Sequence, residues 1–129
     1  MSSYQVTHID DIASKQWPYW APIRHHFGIE TFGINAWRGG QGDEVIKRHD
    51  ESQSGAPELY LVLSGHATFT VAGEEVECPA GMLVFVDDPG VERLAVANET
   101  NTVVLSIGAA AAGKAFEPAG WDTAYLEGE

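Results

Sequence analysis

Four charged side chains in the middle of the chain have the types and spacing needed to bind a small molecule or a metal ion. His49 and Glu51 are two residues apart, Glu58 opens the apolar run that follows, and Arg93 comes later in the chain. An imidazole and two carboxylates offer ligand atoms that divalent metals accept. A guanidinium is a permanent cation with no lone pair to donate. The same four residues therefore fit either a metal site or an ion-paired pocket.

Strand alternation predicts which neighbours share a face with these groups. In the strand that begins at Glu58, Tyr60 lies on the same face as the carboxylate. Arg93 shares its face with Ala95 and Ala97. Small side chains leave space in a barrel interior, so we expect Arg93 to point inward and to be the polar anchor of a pocket.

Short alternating runs separated by turn residues indicate β-structure through most of the chain. A strong turn at 87–90 combines proline, which presets φ, with glycine, which accepts positive φ. Several short strands at such spacing favour a barrel or jelly roll over a parallel sheet. Trp37 lies in the first of these strands as either a core residue or a pocket wall. The candidate strands cover 32–37, 45–49, 59–63, 67–71, 75–78, 82–86, 93–97 and 102–107.

Two sequence blocks in the centre of the chain resemble the motifs of the cupin superfamily. The first runs from Glu58 to Gly65 as ELYLVLSG, and the second from Gly73 to Gly81 as GEEVECPAG. The resemblance implies an all-β, double-stranded β-helix of the cupin or jelly-roll type, with a barrel core over about 35–108. At 129 residues the chain fits a single domain.

The resemblance also implies roles for the charged residues. Glu58 takes the usual glutamate ligand position of cupins, and Arg93 replaces the usual late histidine. Two registers are open for the early histidine pair, because the stretch before Glu58 is longer than usual. Either His49 and Glu51 fill the two positions, or Lys47 and His49 do.

These assignments lead to three hypotheses. The first is a small-molecule-binding protein without a tightly bound metal, since a cation at Arg93 would repel a divalent ion. Its ligand would be anionic or carbonyl-bearing. The second is a metal-dependent enzyme of the oxygenase or isomerase type with a divalent transition metal. The third is a structural or regulatory partner protein. The predicted pocket residues are His49, Glu51, Glu58, Tyr60, Arg93 and Trp37, and the predicted metal ligands, if an ion binds, are His49, Glu51 and Glu58.

The two ends of the chain differ from its centre. Residues 16–27 are rich in aromatic residues and proline, which predicts an extended apolar strap across the barrel, with a ligand lid as the alternative. On an extended segment the adjacent His25 and His26 would point to opposite faces. Residues 109–129 form a predicted tail whose aromatic side chains could fold back onto the barrel.

Composition limits the partners and the location. The net charge of −12 would repel a phosphate backbone, which argues against nucleic-acid binding. No apolar run is long enough to span a membrane, and the N-terminus lacks the pattern of a signal peptide. The lone Cys78 cannot form an internal disulfide. We therefore predict a cytoplasmic protein.

The strand after Glu58 is apolar on both faces. Leu59, Leu61 and Leu63 alternate with Tyr60 and Val62, so both sides of this strand should be covered. One face would look into the barrel and the other toward a second layer or a partner subunit. Cupins are often dimers, and the two arguments together predict a homodimer.

Overall fold

A computed structural model of the chain describes residues 3–111 and 113–118. Within these residues the chain forms nine strands, one short α-helix and a single 3-10 turn at Ile9–Asp11. The last part of the predicted tail, 119–129, lies outside the described residues. The elements are β1 (Trp20–Ala21), α1 (Ile23–Phe27), β2 (Gly33–Gly39), β3 (Glu44–His49), β4 (Glu58–Ser64), β5 (His66–Val71), β6 (Glu74–Pro79), β7 (Leu83–Val86), β8 (Arg93–Ala97) and β9 (Thr102–Gly108).

The strands form two antiparallel sheets. One sheet has the order β1-β2-β9-β4-β7 and the other the order β3-β8-β5-β6. Neighbours in each sheet are largely distant in sequence, as expected for a jelly roll that keeps crossing between its sheets. The predicted all-β, single-domain fold is confirmed. No helix among the described residues is long and apolar enough to cross a bilayer.

The inner faces of the two sheets pack into one apolar core. Phe69 of β5 is fully buried opposite Ala95 of β8, and its ring lies 5.5 Å from that of Tyr60. The space beside the small residues of β8 is therefore filled by a neighbouring aromatic ring. Burying such a side chain contributes about 1.5–3 kcal/mol, so these contacts help to hold the two sheets together.

The outer face of β4 is covered only in part by this chain. Leu63 is 47% exposed, and Leu83 and Phe85 on the adjacent β7 are each 60% exposed. Phe85 is the register partner of Leu59, and Leu83 is that of Leu61. The apolar outer side of β4 and β7 therefore forms one surface that no second layer of the described chain covers.

The predicted extended strap is partly wrong. Residues 20 and 21 form the edge strand β1, which pairs with β2, and the residues after Pro22 form α1. The helix ends at Gly28, whose left-handed φ of 67° lets its N–H bond to the carbonyls of the last turn. His25 and His26 thus lie on a helical turn and not on an extended segment.

Candidate functional site

Three strand ends bring the charged residues together. His49 ends β3 and is the register partner of Arg93, which begins β8. Glu58 begins β4 in the other sheet. Glu51 follows β3, and its N–H donates to the carbonyl of Pro89 at 2.7 Å. That bond ties the loop after β3 to the turn before β8, so Glu51 faces the same point as the strand residues.

The four side chains alternate in charge. His49 Nε2 lies 3.1 Å from Glu51 Oε1 and 3.6 Å from Glu58 Oε1. Arg93 Nη1 lies 3.5 Å from Glu58 Oε1 and 4.0 Å from Glu51 Oε1. Each carboxylate therefore contacts both cationic groups. We call His49, Glu51, Glu58 and Arg93 the charge cluster.

His49 and Glu51, the closest pair of the charge cluster, are both held in their charged forms. Hydrogen bonds to Glu51 and then to Glu58 raise the pKa of His49 to about 10, against the opposing effect of its burial. The hydrogen bond from His49 holds the pKa of Glu51 below its usual value. Ser54 Oγ adds a bond to Glu51 Oε2 at 3.0 Å. At neutral pH the site therefore contains an imidazolium and a carboxylate.

Arg93 lies deeper than the sequence predicted. Its side chain is fully buried, and it is not among the described residues that line the cavity at the site. Its guanidinium nitrogens have no hydrogen-bond partner among the described residues, although Nη1 is within ion-pair distance of both carboxylates. Arg93 points inward, as expected, but lies behind the carboxylates and not at the pocket surface.

Tyr60 forms a hydrogen bond with Glu58, the second carboxylate of the charge cluster. Its hydroxyl donates to Glu58 Oε1, and burial followed by the nearby Glu58 charge raises the pKa of the phenol. A phenol that stays protonated is a permanent donor, so Glu58 accepts from Tyr60 while it faces Arg93 and His49. The position of Glu58 is thereby fixed from three sides.

The cluster opens into a large cavity. The cavity has a volume of about 1260 Å³ and contacts five of the six predicted pocket residues, which are Trp37, His49, Glu51, Glu58 and Tyr60. Lys47 also lines it, but its side chain is exposed, whereas Glu51 lies at ion-pair distance from both His49 and Arg93. The geometry therefore favours the register in which His49 and Glu51 form the early pair.

Several cavity residues were not predicted from the sequence. Trp17, Tyr19 and Trp20 come from the predicted strap, and Phe116 comes from the tail. Ser106 of β9 is inward-facing between Trp37 and Tyr60, and alternation along 102–107 could have identified it. Among the aromatic residues of the strap, Trp20 is buried in the fold, while Trp17 and Tyr19 are partly exposed.

The donor atoms could hold a metal, but the cations beside them oppose one. One ligand atom from each of His49, Glu51 and Glu58 lies within 4.8 Å of the others. A histidine must be neutral to donate a lone pair to a metal, so an ion would have to displace the proton that Glu51 and Glu58 stabilise on His49. The carboxylates already face a buried guanidinium. The residues therefore fit an ion-paired cluster better than a divalent ion.

The chain resembles solved structures and not sequence families. No family model matches it, and no curated protein matches its sequence. A cupin protein from Bacteroides fragilis has a TM-score of 0.68 at 20% identity, and the match covers 100% of this chain and 98% of that one. A sequence identity of 20% is too low to establish an activity, so this match supports a shared fold alone.

Two further matches carry the words sugar phosphate isomerase in their names. The putative one from Acidithiobacillus ferrooxidans has a TM-score of 0.59 at 20% identity, over 75% of this chain and 64% of that one. The one from Silicibacter pomeroyi, named as a member of a cupin superfamily, has a TM-score of 0.58 at 14% identity, over 70% of this chain and 57% of that one. The resemblance seen in the sequence is thus confirmed at the level of structure, and the chain has the cupin fold.

Proposed function

We propose that the chain binds a small, uncharged molecule with hydroxyl or carbonyl oxygens, without a tightly held metal. This proposal rests on the equal number of positive and negative groups in the charge cluster. Two cations and two carboxylates face one another at ion-pair distances, so the cluster is formally neutral. A neutral ligand leaves this balance intact, whereas a charged ligand or an ion disturbs it.

The magnitude of that disturbance favours a neutral occupant. Two unit charges about 4 Å apart interact by roughly 4 kcal/mol at an effective dielectric constant near 20, and a divalent ion doubles the repulsion from each cation. An anion would in turn meet Glu51 and Glu58 before it reached Arg93, which lies behind them. The anionic ligand expected from the sequence is therefore the weaker candidate, and the carbonyl-bearing one is retained.

The exposed atoms of the cluster suit oxygen-bearing groups. The imidazolium of His49 can donate to a carbonyl or hydroxyl oxygen in place of one carboxylate partner. Glu51 has free acceptor capacity and can accept from a hydroxyl group. Charge-assisted hydrogen bonds of this kind are roughly twice as strong as neutral ones, so two such contacts would orient a ligand.

The same groups are poorly matched to proton transfer. A general acid or base works best when its pKa is near the operating pH. The pKa of His49 is raised to about 10, and that of Glu51 is lowered. Both groups are therefore stabilised in the charged forms that form the ion pair, which favours binding over acid–base catalysis.

A metal-dependent enzyme is the second candidate. It is supported by the facing ligand atoms of His49, Glu51 and Glu58, and some structural neighbours are named as isomerases. When bound, a metal would supply a Lewis acid to polarise a carbonyl oxygen. This candidate requires that His49 lose its proton and that the ion tolerate Arg93.

Thermal-shift screening against neutral hydroxyl and carbonyl compounds tests the leading proposal. We expect hits that raise the melting temperature of the natural protein and lose that effect in His49→Gln and Glu51→Gln. Arg48→Gln is the matched control, because Arg48 forms an exposed ion pair with Glu92 outside the cavity. Hits that persist in both cluster variants would place the ligand elsewhere and contradict the proposal.

We also propose that the chain assembles as a homodimer through the uncovered outer face of β4 and β7. The support is the continuous apolar surface formed there by Leu63, Leu83 and Phe85. The outward residues of the two strands carry no charge, so this face escapes the repulsion expected between two chains of net charge −12. The cytoplasmic location stays a prediction of the sequence.

A further inference from the structure

A group of aromatic side chains lines the same cavity as the charge cluster. Trp20 of β1 and Trp37 of β2 are register partners, and their rings stack with centroids 6.1 Å apart and planes 12° apart. Residues from the two flanking segments extend this surface. We call the five residues the aromatic wall, and they are Trp17, Tyr19, Trp20, Trp37 and Phe116.

Trp37, which stacks on the buried ring of Trp20, offers ring surface and no free polar group. Trp20 Nε1 donates to Asn35 Oδ1 at 2.8 Å, and Trp37 Nε1 donates to Ser106 Oγ at 2.9 Å. An indole has only this one donor, so both are used within the protein. A ligand beside this pair can therefore gain only packing and contact with the π faces.

The outer part of the wall is not core packing. Trp17 is 36% exposed and Tyr19 is 45% exposed, and their rings meet edge to face with centroids 6.2 Å apart. Phe116 lies against Gly33, 3.2 Å from the place a Cβ atom would occupy, so the glycine admits the ring. Partly exposed aromatic residues that border a cavity are surfaces a ligand can cover.

We infer that the cavity selects a ring with a flat apolar face and at least two hydroxyl groups along one edge. A pyranose and a hydroxylated aromatic ring share this chemistry. The face would pack on the aromatic wall, and the hydroxyls would contact Glu51 and His49. The inference rests on the proposed function, because it assigns a ligand class to the same cavity. An acyclic polyol lacks the face, and an apolar ring lacks the hydroxylated edge.

Isothermal titration of the natural protein with three probes tests the ligand class. The probes are methyl α-glucopyranoside, catechol and the acyclic polyol sorbitol. We expect at least one of the two ring compounds to bind tenfold or more tightly than sorbitol. The ring compound that binds more tightly shows whether the cavity prefers a pyranose or a hydroxylated aromatic ring.

Variants of the wall test its part in that preference. Tyr19→Ala and Trp17→Ala remove partly exposed rings, so the fold should tolerate them. We expect each to weaken ring binding by roughly threefold to tenfold while the affinity for sorbitol stays the same. Tyr4→Ala removes an exposed aromatic ring that does not line the cavity, and should leave ring binding unchanged.

Two results would overturn the inference and leave the proposed function standing. One is equal affinity for sorbitol and for the ring compounds. The other is that Tyr19→Ala and Trp17→Ala both bind the ring compounds within twofold of the natural protein. In either case His49→Gln would still abolish binding. If neither the rings nor sorbitol bind, the inference is wrong and the proposed function fails with it for these compounds.

Discussion

At the scale of single residues, the site depends on pairs that cannot be separated without leaving a charge unmatched. Arg93 is fully buried, and its nearest anionic atom is Glu58 Oε1 at 3.5 Å. Removing one partner of a buried pair costs roughly 3–5 kcal/mol when the other charge is left alone. Here Glu51 remains beside Arg93, and His49 remains beside Glu58, so the loss should lie below that range. The pair is therefore a requirement of the fold as well as a part of the site.

A double-mutant cycle on this pair tests that requirement. We expect Glu58→Gln and Arg93→Met each to lower the free energy of unfolding clearly, and the double variant to lose less than the sum of both. Denaturant unfolding measures all three variants. Arg48→Met and Glu92→Gln form the control cycle, because that exposed pair should contribute less than about 1 kcal/mol. Additive losses would mean that Arg93 and Glu58 do not interact.

The protonation of His49 predicts a dependence of stability on pH. Its pKa is raised from 6.5 to about 10 on folding, so folding favours the protonated form. The stabilisation should be complete below pH 6.5 and should disappear as the pH rises through 10. His49→Gln lacks this group. The difference in melting temperature between the natural protein and His49→Gln should therefore shrink between pH 6.5 and pH 10. A constant difference would show that the imidazolium pair is absent.

At the scale of elements, the turn between β4 and β5 is held close to the start of β9. Gly65 has a φ of 76°, and a Cβ atom there would lie 2.4 Å from Thr102 Oγ1 and 2.7 Å from Thr102 Cα. The turn thus packs directly on the start of β9, which pairs with β4. A side chain at this position would push the start of β9 away from the end of β4.

Substitutions at Gly65 and at a control glycine distinguish the stability lost to steric clash from the stability lost to backbone strain. Gly65→Ala should destabilise the protein strongly, because it combines a left-handed φ with contact against backbone atoms. Gly73→Ala is the matched control, since Gly73 has a φ of 79° with nothing within 4 Å of the added Cβ. The control should lose only the strain, about 1–2 kcal/mol. Equal losses in thermal unfolding would contradict the close approach of β9.

The elements also show what could and could not be predicted from the sequence. Alternation located the strands of the barrel and predicted that Arg93 points inward, because both properties follow from a local period of two residues. The pairing of β1 with β2 was missed, since the sequence 17–22 gives no such period. The aromatic wall was predicted only in part, with Trp37 as a core residue or a pocket wall and residues 16–27 as a strap or a lid. Its members come from distant segments, and only their packing brings them to one cavity.

The depth of Arg93 also escaped prediction from the sequence. The alternation of side chains along a strand predicts which face of the sheet a side chain occupies, but not which other residues lie in front of it. Here the loop after β3 places Glu51 over the guanidinium, and that loop is positioned by the bond between Glu51 and Pro89. A contact between residues so far apart in sequence leaves no periodic signal.

At the scale of the whole molecule, the uncovered outer face of β4 and β7 predicts assembly. Leu83→Glu and Phe85→Glu should each convert the proposed dimer into a monomer, because a buried carboxylate in an apolar interface is strongly unfavourable. Light scattering at micromolar concentration measures the mass. Val76→Glu is the control, because Val76 is an exposed apolar residue on β6 of the other sheet. A monomeric natural protein would refute the assembly.

The metal content of untagged protein purified without chelator distinguishes an ion-paired cluster from a metal site. We expect far less than one divalent ion per chain in the natural protein, since Arg93 and the protonated His49 oppose an ion at Glu51 and Glu58. Arg93→His, which replaces the permanent cation with a possible ligand, should gain affinity for a transition metal. Near-stoichiometric zinc, iron, nickel or manganese in the natural protein, lost in His49→Ala, would contradict the account and favour the metal-dependent enzyme.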